Sequence, residues 1–292
     1  MNKNHSENYN IPKNDYKVVL VNGHTIAYKE SKNRDNKHIL FIHGIGSSYI
    51  TWRDIPDVLS EQFHTIAVDL IGFGGSDKPL EADYTVKGLG KFIINFLDTI
   101  GLKNEKICLV GHSLGGYIAL RIAIENKDRI EKFVLIDSSG LLEEPTPQPL
   151  EDYRNAAMEI EPVLRYKKLK KALGAIYADP SFMPDFVVNN FIETIIKEGA
   201  TFAFEKAYED STKTHIQSDE FERIQDIPCL ILWGQKDNLI PTDKKPTDYY
   251  EKFKVELPKA KYVKIEGAGH APFVEKTVSV YELIRQFITN NR

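Results

Sequence analysis

The feature that most constrains this fold is a pair of glycines flanking one serine in the run Gly111–Gly115, of sequence Gly-His-Ser-Leu-Gly. Four apolar residues, Ile107–Val110, come directly before it, and a mostly apolar segment, Tyr117–Ala123, follows. A short apolar run bounded by glycine is typical of a buried strand, and the longer segment indicates a buried helix. The sequence therefore predicts a strand, a very tight turn at Ser113 and a helix.

The glycines on either side of Ser113 have a steric explanation. A turn this tight forces the serine into a strained backbone conformation, and a side chain at Gly111 or Gly115 would clash with neighbouring backbone. The turn lifts Ser113 Oγ above the sheet edge, beside helix N–H groups that favour a developing negative charge. A G-x-S-x-G run between a strand and a helix is known as a nucleophile elbow.

Strand-like and helix-like segments alternate along most of the chain. The predicted strands are Tyr16–Val21, Thr25–Lys29, Ile39–Ile42, Thr65–Val68, Ile107–Val110, Lys132–Ile136, Cys229–Trp233 and Tyr262–Ile265. Predicted helices cover Thr51–Gln62, Tyr84–Ile100, Tyr117–Asn126 and Thr277–Asn290. Continuously apolar strands that alternate with helices predict an α/β protein whose mostly parallel sheet is covered on both faces.

The alternation stops after Gly140, Pro145, Pro147 and Pro149 mark a linker, and residues 150–224 have a helical pattern with many aromatic residues. A segment of this size is large enough for a separate layer. We therefore expect an α/β core formed by residues 16–140 and 225–292. A helical cap, residues 141–224, is inserted into it, and a flexible tail, residues 1–15, precedes it.

Composition narrows the range of partners. The net charge of −4 and the absence of a basic patch mixed with aromatics give no support for a nucleic-acid partner. We interpret Lys167–Lys171 as a solvated helix face. No apolar stretch reaches the roughly 18 residues needed to span a membrane, and residues 1–15 lack the apolar region of a signal peptide. These features predict a cytoplasmic protein without a membrane partner, in which Cys108 and Cys229 are small buried hydrophobic residues.

Two later loops supply what a nucleophilic serine needs. A serine hydroxyl reacts poorly unless a base removes its proton and a carboxylate orients that base. Asp237 follows the run Cys229–Trp233, and His270 follows the run Tyr262–Ile265. In elbow-type enzymes the order along the chain is serine, acid, histidine, as it is here. We therefore predict that Ser113, Asp237 and His270 form a catalytic triad.

Asp137 is an alternative to Asp237 as the acid. It ends the run Lys132–Ile136 and is predicted at the same sheet edge as Ser113. The carboxyl ends of parallel strands meet at that edge, where ligands collect. We favour Asp237, because its glycine-containing loop can reach the loop of His270, and Asp137 stays open as the rival.

A glycine-containing loop after the third strand is the other candidate part of the site. The loop His43–Ser48 has the sequence His-Gly-Ile-Gly-Ser-Ser. Its glycines allow backbone N–H groups to point into a site, and an oxyanion hole would combine the N–H groups of Ile45 and Leu114. We interpret His43 as a residue that orders this loop and His112 as a residue packed beside the elbow.

These motifs together resemble the α/β-hydrolase fold superfamily. The similarity rests on the elbow, the His43-Gly44 loop, the segment Asp69–Pro79, the Asp237 loop and the Gly269-His270 loop. Within the superfamily, the chain resembles the capped serine esterases and carbon–carbon hydrolases. The resemblance implies an eight-stranded, mostly parallel sheet, a helical cap after the sixth strand, and no metal or organic cofactor. In this context Asp69 is interpreted as ordering the glycine loop that follows it.

The same resemblance distinguishes the expected activity of this chain from other activities in the superfamily. Epoxide hydrolases and haloalkane dehalogenases of this superfamily use an aspartate nucleophile, which Ser113 argues against. Hydrolases of aromatic ring-cleavage products usually carry a tryptophan after the catalytic histidine, where this chain has Ala271. We therefore expect a carboxylesterase-like serine hydrolase acting on a small to medium apolar ester, as a monomer or a homodimer. A carbon–carbon hydrolase, an acyltransferase and a non-catalytic small-molecule receptor stay open.

Overall fold

An eight-stranded sheet forms the centre of the molecule. The computed structural model describes residues 16–52, 54–142, 145–183, 185–240 and 248–290, so the predicted tail lies outside the described residues. The strands are β1 (Lys17–Val21), β2 (His24–Glu30), β3 (His38–Ile42), β4 (His64–Val68), β5 (Ile107–His112), β6 (Ile130–Ile136), β7 (Cys229–Gly234) and β8 (Lys261–Ile265). Each predicted strand is present, with its bounds shifted by at most two residues.

The order of the strands creates one crevice at their carboxyl ends. The order across the sheet is β1-β2-β4-β3-β5-β6-β7-β8. The pairs β1–β2 and β2–β4 are antiparallel, and all others are parallel. From β3 the chain moves outward to β4 on one side and then returns to β5 on the other. Such a reversal opens a crevice beyond the strand ends, where ligands bind in open α/β sheets.

Helices cover both faces of this sheet. They are α1 (Ile55–Leu59), α2 (Val86–Thr99), α3 (Leu114–Glu125), α9 (Tyr249–Glu256), α10 (Pro272–Glu275) and α11 (Thr277–Thr289). Along β3, Leu40 and Ile42 pack into one hydrophobic cluster, whereas Ile39 and Phe41 pack into the other. Alternate strand side chains point to opposite faces, so burial of every β3 side chain confirms that both faces are covered. Cys108 and Cys229 are buried and free of disulfides.

The predicted helix over Thr51–Gln62 is wrong as a continuous element. A 3-10 turn occupies Tyr49–Trp52, and α1 begins only at Ile55. Pro56 lies at the start of α1. Proline has no N–H to donate to the preceding turn and its ring clashes there, so it is tolerated in a first helical turn and breaks a helix interior. The apolar spacing across Pro56 therefore belongs to two short elements.

In the described part of the stretch between β6 and β7, five α-helices form what we call the cap segment. They are α4 (Gln148–Ala157), α5 (Pro162–Gly174), α6 (Asp185–Ile195), α7 (Ala200–Lys213) and α8 (Ser218–Glu222). The ring of Tyr153 lies 5.4 Å from that of Phe191 and 5.8 Å from that of Phe204. These aromatic contacts join α4, α6 and α7 into one packed layer. In the described part of the chain, no helix combines the length and apolar character needed to cross a membrane.

Candidate active site

The turn at Ser113 has the strained geometry that its sequence predicts. Ser113 has φ 53° and ψ −118°, between the end of β5 and the start of α3. Its N–H donates to the Ile136 carbonyl oxygen over 3.0 Å, which ties the turn to β6. A Cβ atom at Gly111 would lie 2.6 Å from the Gly115 carbonyl carbon, and one at Gly115 would lie 2.6 Å from the His43 carbonyl oxygen. Only glycine fits at either position.

Asp237, rather than Asp137, is hydrogen-bonded to the predicted base. The Nδ1 atom of His270 lies 2.8 Å from Oδ2 of Asp237. The other oxygen of Asp237 accepts the N–H groups of Leu239 at 2.8 Å and Ile240 at 3.0 Å. The backbone thus holds the carboxylate in one orientation. An Nδ1–H that donates to Asp237 leaves Nε2 of His270 as the basic nitrogen.

That second nitrogen of His270 faces the crevice. Nε2 is buried and has no hydrogen-bond partner among the described residues. His270 and Ser113 both line one pocket, together with Ile45 from the loop after β3. An unpaired base nitrogen, a hydroxyl and a glycine-containing loop therefore meet at the crevice between β3 and β5. This is the arrangement that nucleophilic attack on a carbonyl requires.

The pocket is small and mostly apolar. Its cavity volume is about 70 Å³. The core supplies Ser113 and His270, and the cap segment supplies apolar side chains that include Leu173, Val187 and Phe191. Sites for drug-sized ligands usually measure about 300–1,000 Å³. In this conformation the pocket accepts only a small group.

The proposed oxyanion loop is held in place by the cap segment. Tyr153 donates its hydroxyl hydrogen to the Ile45 carbonyl oxygen over 3.0 Å. Asn190 of α6 is buried and donates to the Ser48 hydroxyl over 3.0 Å. Leu114 is the first residue of α3, so its N–H has no partner within that helix. Both backbone N–H groups named for the oxyanion hole thus belong to elements that border Ser113.

The other two histidines of the site orient backbone. His43 is fully buried, its Nδ1 lies 2.8 Å from the Gly44 carbonyl oxygen, and its Nε2 accepts the Leu70 N–H. Burial lowers the pKa of His43 to about 4, so the ring is neutral at neutral pH. Nε2 of His112 lies 2.7 Å from the His270 carbonyl oxygen. Burial lowers the pKa of His112 well below its ordinary value. His43 therefore orders its loop, as the sequence predicts, and His112, predicted only to pack beside the elbow, also holds the backbone at His270.

Asp69 orders the glycine loop that follows β4. One oxygen accepts the Tyr49 N–H at 2.6 Å, and the other accepts the Gly75 N–H at 2.7 Å. Burial raises the pKa of Asp69 to about 6 despite these hydrogen bonds. Neither oxygen reaches the pocket that contains Ser113.

The acidic cluster behind His270 has the composition of a metal site. One oxygen of Asp137, one of Asp237 and one ring nitrogen of His270 lie within 4.8 Å of one another. Carboxylates and imidazole are ligands that zinc accepts. However, hydrogen bonds engage both oxygens of Asp237 and the nitrogen of His270 that faces them. Hydrogen bonds therefore account for the positions of Asp237 and His270 without a metal ion.

Comparison with known families identifies the fold. Residues 37–277 match the family described as alpha/beta hydrolase fold. The chain belongs to that family. The match spans the sheet from before β3 to the start of α11, and it includes every residue of the candidate site.

Two curated relatives of this alpha/beta hydrolase are bacterial lipases by name. Lipase 3 of Moraxella sp. (strain TA144) is 29% identical over 278 residues, which is 91% of this chain and 83% of that protein. Lipase 1 of Psychrobacter immobilis is 29% identical over 281 residues, which is 94% of this chain and 85% of that protein.

Solved structures show the same fold. The 2-hydroxy-6-oxo-6-phenylhexa-2,4-dienoate hydrolase from Rhodococcus sp. strain RHA1 has a TM-score of 0.79, with 20% identity. The match covers 94% of this chain and 100% of that chain. At this identity the similarity supports the fold alone.

The residues that connect this alpha/beta hydrolase core to its cap segment were not predicted from the sequence. Glu275 of α10 accepts the Gly269 N–H at 2.6 Å and the Ala178 N–H at 2.8 Å. The N–H of His270 itself donates to the Ile176 carbonyl oxygen over 2.7 Å. The contacts to Ala178 and Ile176 join segments about 100 residues apart in the chain, so no local motif indicates them.

Proposed function

We propose that this protein is a serine hydrolase that cleaves carboxylic esters, with Ser113 as nucleophile, His270 as base and Asp237 as the acid. The observation that supports this most strongly is the buried Nε2 of His270, which has no partner in the described ranges and lies in the pocket that Ser113 lines. Its other nitrogen is held by a carboxylate that two backbone N–H groups fix. The lipase names of the two curated relatives support ester hydrolysis as the reaction.

The proposed reaction has two halves. His270 accepts the Ser113 proton as Oγ attacks the ester carbonyl, and Asp237 stabilises the imidazolium that forms. The N–H groups of Ile45 and Leu114 stabilise the oxyanion of the tetrahedral intermediate. His270 then gives its proton to the leaving alcohol, which leaves an acyl group on Ser113. Water activated by His270 hydrolyses this acyl-enzyme and restores the free serine.

The pocket favours a small acyl group. Its volume of about 70 Å³ and its apolar cap residues suit a short alkyl chain better than a charged or bulky one. The ring of Phe191 limits the pocket on the side of α6. A longer acyl chain would require this ring or the cap segment to move.

The test is the turnover of p-nitrophenyl esters with acyl chains of two to twelve carbons. Wild type is compared with Ser113→Ala and with Ser47→Ala, a second serine that lines the same pocket. We expect the Ser113 variant to lose roughly 10⁴-fold or more in kcat, whereas the Ser47 variant stays within a few fold. Folded wild type without turnover, or an equal loss in both variants, would refute the proposal.

A further inference from the structure

Asp137 lies behind the proposed triad, and its burial and contacts are not those of an ordinary turn residue. It follows β6 directly, is fully buried and has a positive φ of 43°. Its N–H donates to the Leu232 carbonyl oxygen over 3.0 Å, and its Oδ1 accepts the Gly234 N–H at 2.8 Å. Two hydrogen bonds to β7 therefore hold a strained, buried carboxyl group next to the Asp237 loop.

The second oxygen of Asp137 has no donor in the parts of the chain that the structure describes. Oδ2 is buried and has no hydrogen-bond partner among the described residues. An oxygen of Asp137, one of Asp237 and a nitrogen of His270 are within 4.8 Å of one another. An ionised carboxylate with one oxygen left without a donor is costly in a buried site, and a second negative charge beside Asp237 adds repulsion.

Burial and the neighbouring carboxylates favour the neutral form of Asp137, whereas the hydrogen bond from the Gly234 N–H opposes it. The titratable groups that face it are Asp237 after β7, His270 after β8 and Glu275 on α10. Burial first, and then the carboxylates of Asp237 and Glu275, raise the pKa of Asp137 well above its ordinary value. A neutral carboxylic acid has an O–H to donate, and the nearest carboxylate is that of Asp237.

We propose that Asp137 is a positioning residue that, as a neutral carboxylic acid, donates its O–H to Asp237. When Asp237 is substituted, Asp137 takes its place as the partner of His270. This inference rests on the proposed ester hydrolysis. The two carboxyl groups share one proton and one negative charge. Asp137 thereby holds Asp237 against the imidazole without adding a second charge to the site.

The first test compares two substitutions at Asp137. An asparagine side chain at this position can still accept the Gly234 N–H and donate to Asp237, whereas alanine can do neither. Loss of a hydrogen bond to a charged group corresponds to roughly a 10- to 100-fold effect. We therefore expect Asp137→Ala to lose about this factor in kcat with KM unchanged, and Asp137→Asn to stay within a few fold.

The pH profile of kcat/KM separates a neutral Asp137 from an ionised one. If Asp137 is neutral, Asp137→Asn removes no charge, and the midpoint of the acid limb stays where wild type has it. If it is ionised, the same variant removes a negative charge beside His270, and the midpoint moves to lower pH. Such a shift, or equal losses in the asparagine and alanine variants, would overturn the proposal.

The second test is a double-mutant comparison. Removing a triad aspartate without a replacement costs about 10⁴-fold. We expect Asp237→Ala to lose only on the order of 10²-fold, because Asp137 moves toward the imidazole. The double variant, Asp137→Asn with Asp237→Ala, then loses the full factor of about 10⁴. A full loss already in Asp237→Ala, with nothing added by the second substitution, would refute the replacement role.

A third measurement does not depend on turnover and so separates this inference from the proposed function. An acid whose pKa is raised by folding makes the fold less stable as pH rises above its unfolded value, about 3.9 for aspartate. The melting temperature of wild type must then fall relative to that of Asp137→Asn between pH 5 and 9. Parallel curves would show that Asp137 is ionised and would overturn the inference, even in a protein that hydrolyses esters.

Discussion

The strain at Ser113 predicts that glycine is more stabilising than alanine at this one position. Both substitutions remove the hydroxyl group, so their difference reports the backbone. The serine has φ 53° and ψ −118°, a combination that side chains with a Cβ atom disfavour. A residue held in such a region costs about 1–3 kcal/mol. Glycine removes that cost because it has no Cβ atom.

Two smaller terms oppose this gain. Glycine loses more conformational entropy on folding than alanine, by about 0.5–1 kcal/mol. The lost methyl group was buried and contributed up to about 0.8 kcal/mol. With mid-range values, about 2 kcal/mol of strain against about 1 kcal/mol for the two opposing terms, Ser113→Gly is expected to be more stable than Ser113→Ala by about 0.5–1.5 kcal/mol. At roughly 2–4 °C per kcal/mol for a domain of this size, the melting temperatures differ by about 1–6 °C.

The assay is thermal unfolding of both variants under identical conditions, followed by calorimetry or circular dichroism. Ser60 supplies the matched control, because it has an ordinary helical conformation with φ −65° and ψ −13°. At that position glycine is expected to be less stable than alanine by about 0.5–1 kcal/mol. Equal melting temperatures at position 113, or the same sign at both positions, would refute the idea that the elbow is strained.

Three further perturbations have expected outcomes. A Cβ atom at Gly46, where φ is +70°, would overlap the Phe191 ring, so Gly46→Ala is expected to lower the urea unfolding free energy by about 2–4 kcal/mol. The control is Gly23→Ala, at φ +87° with open space around it, which should cost only about 1–2 kcal/mol of unfolding free energy. Equal losses in the two variants would contradict a clash between position 46 and Phe191. Burial opposes ionisation of Glu30, but hydrogen bonds from His64 and two basic side chains lower its pKa to about 2. A lowered acid pKa stabilises the fold above about pH 4.5, and this contribution disappears toward pH 2. Over that range the free energy of unfolding of wild type should therefore fall by roughly 1–3 kcal/mol more than that of Glu30→Gln. Parallel pH dependences in urea titrations would contradict this. Phe191→Leu enlarges the pocket and should move the preferred p-nitrophenyl ester to a longer acyl chain, at a stability cost of about 1–3 kcal/mol; an unchanged optimum would place the acyl group elsewhere.

Local patterns predicted most of the sheet because its strands carry strong local signals. The run Ile107–Val110 is short, continuously apolar and ended by Gly111, and it forms most of β5. By contrast, apolar spacing over Thr51–Gln62 outweighed the effect of Pro56, which starts a helix and interrupts one that continues through it. Helix α9, Tyr249–Glu256, was not predicted at all; its apolar face is weak, and its packing against the rest of the fold is what buries Phe253.

The candidate site was predictable to the extent that each residue belongs to a motif of its own. Ser113, His270 and the loop of Ile45 each follow a strand and carry a recognisable glycine pattern. The choice between Asp137 and Asp237 depends instead on distances to His270 across two strand ends, which spacing along the chain does not encode. The contact of Tyr153 with Ile45 is of the same kind, because it joins residues 108 positions apart.

The central claim is that Ser113 is an activated nucleophile, and covalent labelling tests it most directly. Wild type and His270→Ala are treated with a fluorophosphonate, digested with trypsin and analysed by mass spectrometry. The account predicts one adduct, on Ser113 in the peptide Ile107–Arg121, and labelling of the His270 variant slowed by about 10³-fold or more. Folded wild type that stays unlabelled, an adduct on another residue, or equal labelling of both proteins would contradict it.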